Sequence, residues 1–221
     1  MPWRGDGSVA LLTVSPDAPF LSADFVRHCL STLADQGFSR VLTGALSPLE
    51  QAGFLAAGFG VEEKLRLLGL DLGLPLPPLP RRPRLSRVPA RRRRAVLEVD
   101  RAAFSEFWRF DETALEDALA ATPAVRFRAS GGRRGPVGGY AICGRSGRRG
   151  YVQRLAVHPQ AQGRGLGRRL LLDGLYWMAG RGVGRVLVNT QSDNGAALAL
   201  YTAVGFRDEP VGLSVLSAGI G

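Results

Sequence analysis

The apolar residues of this chain fall into two rhythms that alternate along it. Val9-Ala10-Leu11-Leu12-Thr13-Val14 is a short unbroken run stopped by Ser15-Pro16, which predicts a strand. Over residues 21–35 the apolar positions Phe25, Val26, Cys29, Leu30 and Leu33 recur at helical spacing. Residues 40–46 return to the strand rhythm, Ser47-Pro48 opens a short helix with proline in its first turn, and Gly58-Phe59 closes it. Residues 8–70 therefore read strand, helix, strand, helix, strand.

Prolines then crowd the chain at 75, 77, 78, 80, 83 and 89, which predicts a semi-rigid extended spacer. This divides the sequence into residues 1–72, a Pro/Arg-rich linker at 73–84 and a second part at 85–221. Leu85-Ser86-Arg87-Val88 is the first strand of that part. Residues 90–104 place Ala95, Val96, Val99, Ala102 and Ala103 on one helical face. A second helix over 111–121 begins with an acidic cap, carries Leu115, Ala118 and Leu119, and stops before Pro123. Residues 125–129 and 137–143 read as antiparallel strands joined by a glycine-rich turn at 131–135.

The next segment, Tyr151 to Leu172, organises the chain. It begins as a strand with Val152, Leu155 and Val157, stops at His158-Pro159, and ends as a helix with its stripe at Leu166, Leu170, Leu171 and Leu175. Between them lies Gln162-Gly163-Arg164-Gly165-Leu166-Gly167, followed by Arg168 and Arg169. Glycines let a backbone approach a ligand, and a helix N-terminus presents free N–H groups and a positive dipole end. Together with the arginines this is a cradle for pyrophosphate. The glycines fall at 163, 165 and 167, so the G-x-G-x-x-G dinucleotide pattern does not fit. A P-loop does not fit either, because Lys64 is the only lysine.

Composition narrows the setting. With 221 residues and 45% hydrophobic content the chain can bury a real core, as one large or two small domains. No apolar run reaches the ~18 residues of a membrane span, and the first residues lack the plan of a signal peptide. A cytoplasmic setting is expected. Cys29 and Cys143 form no metal or disulfide pattern and read as buried thiols. The net charge of +10 invites a nucleic-acid partner. The densest run, Arg91 to Arg94, has no interleaved aromatics to stack on bases, which argues against one. A basic surface also suits a polyanionic small ligand, by steering.

The first part is an internal repeat of the second. Gln36-Gly37-Phe38-Ser39-Arg40-Val41-Leu42 matches Arg181-Gly182-Val183-Gly184-Arg185-Val186-Leu187 at an offset of 145. Upstream, Leu12-Thr13-Val14-Ser15-Pro16 mirrors Leu155-Ala156-Val157-His158-Pro159. Downstream, Gly58-Phe59 mirrors Gly205-Phe206. Where the second copy has its glycine cradle the first has Asp17-Ala18-Pro19-Phe20. Its role is expected to be structural. Its apolar strand faces need a partner, either the carboxy-terminal domain or a second subunit in a homodimer.

Gln162-x-x-Gly165-x-Gly167 after a strand ending Leu155-Ala156-Val157-His158-Pro159 resembles the acetyl-CoA signature of the GNAT superfamily of N-acetyltransferases. The element order over about 85–216 is also similar to that fold. The resemblance implies an α/β (α+β) architecture with a central mixed, mostly antiparallel sheet flanked by helices, preceded here by a degenerate half repeat. The tandem plan is also similar to mycothiol synthase, whose first repeat is a full domain while this one is not. The resemblance further implies that Leu155, Ala156 and Val157 pair with the pantetheine arm as an added strand would. Gln162, Gly163, Arg164, Gly165, Leu166, Gly167 and Arg168 would hold the pyrophosphate. Asn194 and Tyr201, in a segment resembling the family's N-x-x-A-x-x-x-Y helix, would contact the cofactor arm and protonate the departing thiolate. They share one helix face. Both have plainer uses, Tyr201 as a packing aromatic and Asn194 as a helix cap.

The implied reaction needs a neutral amine, so a base or water must take a proton. Related ribosomal-protein acetyltransferases carry a glutamate where this chain has Asn189, and Gln153 likewise stands where many relatives use a carboxylate. Glu106, Asp111 and Glu112 remain as candidates, with a helix cap the first role for Asp111 and ordered water an equal alternative to any of them. No metal is implied. The expected function is acetyl transfer from acetyl-CoA to an amine of a small molecule, peptide or protein. The alternative is an acyl-CoA-binding module without catalysis.

Overall fold

The structure, a computed structural model, describes residues 2–3, 6–14, 20–81, 83–131 and 135–220. In chain order it begins with β1 (Pro2–Trp3), β2 (Asp6–Leu12), α1 (Ala23–Asp35), β3 (Arg40–Thr43), α2 (Pro48–Ala56) and β4 (Gly60–Asp71). There follow β5 (Leu85–Arg87), α3 (Arg93–Ala103), α4 (Glu112–Ala120), β6 (Ala124–Ser130), β7 (Gly139–Ser146) and β8 (Arg149–Val157). The series ends with α5 (Leu166–Ala179), β9 (Arg185–Gln191), α6 (Gly195–Val204), β10 (Arg207–Asp208) and β11 (Leu213–Gly219). Two compact units result, one from Met1–Leu67, Asn189–Gly195 and Asp208–Gly221, the other from Leu68–Val188 and Ala196–Arg207. Ser15-Pro16, most of the Asp17–Phe20 segment and the middle of the 131–135 turn lie outside the described residues.

In the first unit β2 runs parallel to β3, as a strand–helix–strand crossover through α1 requires. The carboxy-terminal strand β11 is antiparallel to β3 on one side and to residues 60–65 of β4 on the other. Ala10, Val26, Val41, Leu46, Phe54, Phe59 and Leu216 form the core. Both helices start on local signals. The Ser22 hydroxyl caps α1 by accepting from the Phe25 N–H, and Ser47 with Glu50 forms a capping box on α2, with Pro48 in the first turn. The strand expected over 40–46 ends at Thr43, whose hydroxyl accepts the Leu216 N–H at 2.9 Å; Leu46 makes only an isolated bridge to Ser214.

In the second unit β5, β6, β7 and β8 form an antiparallel sheet, and β9 adds to β8 in parallel. Helix α5 covers one face, with Leu171, Leu172, Leu175 and Met178 packed on Cys143, Val152 and Val186. Helices α3 and α4 cover the other, where Val96, Val99 and Leu115 meet Ala129, Tyr140, Ile142 and Ala156. The helix expected from Ala90 begins as a 3-10 turn over Ala90–Arg92 after Pro89 and becomes α-helical at Arg93.

Candidate active site

The site starts from an irregularity in β8. Cys143 stands opposite Val152 and Ile142 opposite Arg154, so Gln153 is an extra residue, a β-bulge. One added residue exchanges the faces of everything after it. Val152 packs with α5, whereas Arg154 and Ala156 point to the α3 side and Leu155 and Val157 return to α5. A bulge also bends its strand. The parallel ladder between β8 and β9 runs from Arg149↔Arg185 to Tyr151↔Leu187 and ends there, just before the bulge. From Val152 onward that edge of β8 has no ladder partner among the described residues, while its other edge stays paired to β7 as far as Gly139↔Val157. An extended ligand can add to such an edge as a strand would.

The edge leads into the glycine loop. A short turn at Pro159–Ala161 follows His158, and the Gln162 side-chain amide donates to the Val157 carbonyl at 3.1 Å, tying the loop to the end of the strand. Gly163 and Gly165 have φ of 72° and 74°, left-handed values that favour glycine, and a Cβ on either would meet open space. Gly165 is the N-cap of α5, and the first backbone bond of that helix runs from the Arg169 N–H to the Gly165 carbonyl at 3.0 Å. The N–H groups of Leu166, Gly167 and Arg168 thus have no intrahelical acceptor. Gly167 has a different reason to be glycine, since its Cβ would lie 3.3 Å from Leu200 Cδ2 of α6. The loop fits an anion at an open helix N-terminus.

Charge agrees. The second unit holds 24 Arg against 9 Asp and Glu, a net +15; the first holds 5 Arg and Lys against 10, a net −5. The whole positive excess belongs to the unit with the cradle.

Tyr201, on α6, is 5% exposed and shares a packed cluster with Leu155, Cys143 and Phe206. Its ring is tilted against Phe206 at 5.6 Å between centroids. Burial pushes its hydroxyl well above the ordinary phenol range; the Cys143 thiol adds to this and the Arg154 charge opposes it. The group is therefore neutral and carries its proton. Asn194 immediately precedes α6, with its backbone N–H donating to the Gln191 carbonyl at 3.2 Å.

On the α3 face lies a buried network that pattern reading missed. Asp100, fully buried, accepts from Arg154 Nε and Nη2 at 2.8 Å each, from the Tyr140 hydroxyl at 2.5 Å and from the Phe110 N–H at 2.6 Å. The Arg154 guanidinium is also sandwiched between the Phe104 and Phe110 rings, 3.5 and 4.0 Å from their centroids, and donates to the Trp108 carbonyl at 2.6 Å. It pins the 104–110 segment against β8. A signal was present: Asp100 is a charged residue in line with Val96 and Ala103 on the apolar stripe of α3. Among the candidate bases, Asp111 caps α4 by accepting from the Ala114 N–H at 2.7 Å, while Glu106 and Glu112 are exposed.

The half repeat differs at this edge, and its sequence lacks the glycines of the loop. Val9↔Arg40 through Leu12↔Thr43 are paired without interruption. By the sequence correspondence Leu12 matches Leu155, so the ladder is closed at the level where β8 stands open.

A model of the acetyltransferase (GNAT) family matches residues 93–206. A mycothiol acetyltransferase of Thermobispora bispora is 32% identical over 193 residues, covering 80% of this chain and 65% of that protein. One of Nocardioides sp. is 51% identical over 57 residues, 26% of this chain and 19% of that protein. The matched part is thus less than two thirds of either relative's length. Among solved structures, a tandem GNAT protein from the clavulanic acid biosynthesis pathway superposes with a TM-score of 0.66 at 16% identity, over 90% of this chain and 69% of that one.

Proposed function

The chain belongs to the acetyltransferase (GNAT) family, and from that premise we propose that it transfers the acetyl group of acetyl-CoA to an amine in a ternary complex, at one site per chain. The observation that carries this reading is the open edge of β8 beyond Tyr151↔Leu187, which runs directly into the left-handed glycine loop at the N-terminus of α5. An extended arm ending in a pyrophosphate fits that pairing of edge and anion site.

Acetyl-CoA supplies an acyl group activated as a thioester. In this reading the backbone of Leu155, Ala156 and Val157 lines its arm; the Val157 carbonyl is already engaged by Gln162, so the free groups lie upstream of it. The loop from Gln162 to Gly167, with Arg164 and Arg168, holds the pyrophosphate, and Asn194 contacts the arm. Tyr201 gives its proton to the departing thiolate; burial keeps that proton on the hydroxyl until a thiolate forms beside it. The amine proton leaves to water, with Glu106 and Glu112, both exposed, as candidates for drawing it away. Gln153 serves the site as the bulged residue rather than as a base.

The name of the relatives puts mycothiol acetylation among the first reactions to screen, beside peptide and small-molecule amines. Release of free thiol from acetyl-CoA on adding an acceptor is the test. Tight CoA binding with no thiol release across the panel would leave a binding module without catalysis.

A further inference from the structure

On the α5 face of the second unit, away from the open edge of β8, several arginines gather round a single carboxylate. Asp173 of α5 accepts from Arg126 Nε at 2.7 Å and Arg126 Nη2 at 3.1 Å, which occupies both of its oxygens. Arg128 Nε stands 3.9 Å and Arg169 Nη1 3.7 Å from the same carboxylate, too far for hydrogen bonds. Three guanidinium groups thus share one negative charge. A fourth, Arg87 on β5, lies directly opposite Arg128 in the β5–β6 register, and cross-strand partners project from the same face.

The donors left over are the informative part. Arg169 is 12% exposed at its side chain, and its Nε and Nη1 are buried with no hydrogen-bond acceptor among the described residues. Arg128 donates no side-chain hydrogen bond among them either, and its own side chain is 29% exposed. Burial, with Arg126 beside it, holds the Arg128 guanidinium below its ordinary range. Removing several like charges from water around one carboxylate is unfavourable unless a further anion satisfies them. No second carboxylate does so among the described residues.

We propose that Arg87, Arg128 and Arg169 form a binding site for a compact tetrahedral oxyanion of the phosphate class, separate from the glycine loop, with Arg126–Asp173 as its fixed floor. The planar guanidinium fork matches such an oxyanion, and the partial exposure of Arg128 provides access. Because the Arg169 N–H makes the first backbone bond of α5, an anion held by its side chain also steadies the helix start that bears the glycine loop.

The test uses the whole chain with inorganic phosphate, compared with chloride at equal ionic strength, and with saturating CoA to occupy the loop. Phosphate is expected to raise Tm by a few degrees along a saturable curve. Arg128→Gln and, separately, Arg87→Gln should abolish that rise while leaving Tm in chloride unchanged or higher, since each removes surplus positive charge. Gly165→Asp, which disables the loop, should retain the phosphate response measured without CoA. A wild-type chain with no phosphate-specific rise would overturn the proposal, as would a rise that survives both arginine substitutions. A response lost only in Gly165→Asp would assign the phosphate to the loop. A fall in Tm in chloride for both arginine variants, with the phosphate response intact, would make the cluster a purely structural network.

Discussion

Arg154 and Asp100 lie 54 positions apart in the chain and meet through two parallel hydrogen bonds of 2.8 Å, inside a core where neither has water to turn to. The bulge at Gln153 is what brings Arg154 to that face. Breaking a buried pair strands the remaining charge, so Asp100→Leu or Arg154→Leu should each cost about 3–5 kcal/mol. The double replacement should cost less than the two singles combined, because it leaves no stranded charge. Urea denaturation of the three variants measures this; additive losses would mean that the two groups act independently.

Tyr201→Phe keeps the ring, its cluster with Leu155 and its contact with Phe206, and removes one hydroxyl. With an acceptor in hand, kcat should fall by roughly 10²–10⁴-fold while CoA affinity stays within about twofold. A variant that keeps more than half its turnover takes Tyr201 out of the chemistry. Weakened CoA binding at an unchanged rate would make it a binding residue.

Gly165→Asp adds a side chain at φ 74° and sets a negative charge at the open start of α5. The strain amounts to about 1–3 kcal/mol, which leaves a folded protein. CoA binding by calorimetry should disappear, and the parent should bind one equivalent, since the half repeat has a closed ladder and no glycine loop. Two equivalent sites in the parent would show that the first repeat binds as well.

Deleting residues 1–80 removes β3 and β4, the two strands between which β11 lies. A chain of residues 81–221 should therefore be aggregation-prone or markedly less stable than the whole, with an apolar strand bare on both edges. Static light scattering and thermal unfolding decide it. A monomer as stable as the whole chain would show that β11 needs neither neighbour.

Alkali should unfold the protein in stages. Burial first, and then the charge of Asp173, push the Cys143 thiol up to about 12, with Arg126 opposing. Tyr140 and Tyr201 are raised as well. An unfolded thiol loses its proton near pH 8.5, so above that value the folded chain binds a proton that the unfolded chain does not. The thiol's contribution is then constant below about pH 8.5 and falls by about 1.4 kcal/mol per pH unit above it. The slope steepens above about pH 10 as the two phenols join. Denaturation midpoints across this range should flatten between about pH 8.5 and 10 in Cys143→Ala; an unchanged slope would place the proton elsewhere.

What could be read in advance was local. The stripe of α5, the glycine loop, the helix starts at Ser47 and Asp111 and the order of elements all rest on residues within a few positions of one another. The bulge at Gln153 could not be read. Both faces of β8 are covered, so Val152, Arg154 and Ala156 are all buried and the alternation shows no break where the faces change over. The Arg154–Asp100 bond and the arginines around Asp173 join distant elements, and their only trace was a charge on an apolar stripe. The place of β11 had no trace at all, because an apolar strand names its rhythm and not its neighbours.

That place has a consequence for how the protein is made. Leu65 pairs with Leu213 and Gly60 with Ser217, so β4 waits for about 150 further residues before its partner exists. At ordinary rates of synthesis that is roughly 8–30 s, during which the entire second unit is synthesised. For that interval the facing edges of β3 and β4 are a vacancy shaped for one strand. Whatever guards a nascent chain must cover it, and a chain terminated before Leu213 would carry an intact glycine loop and an open seam.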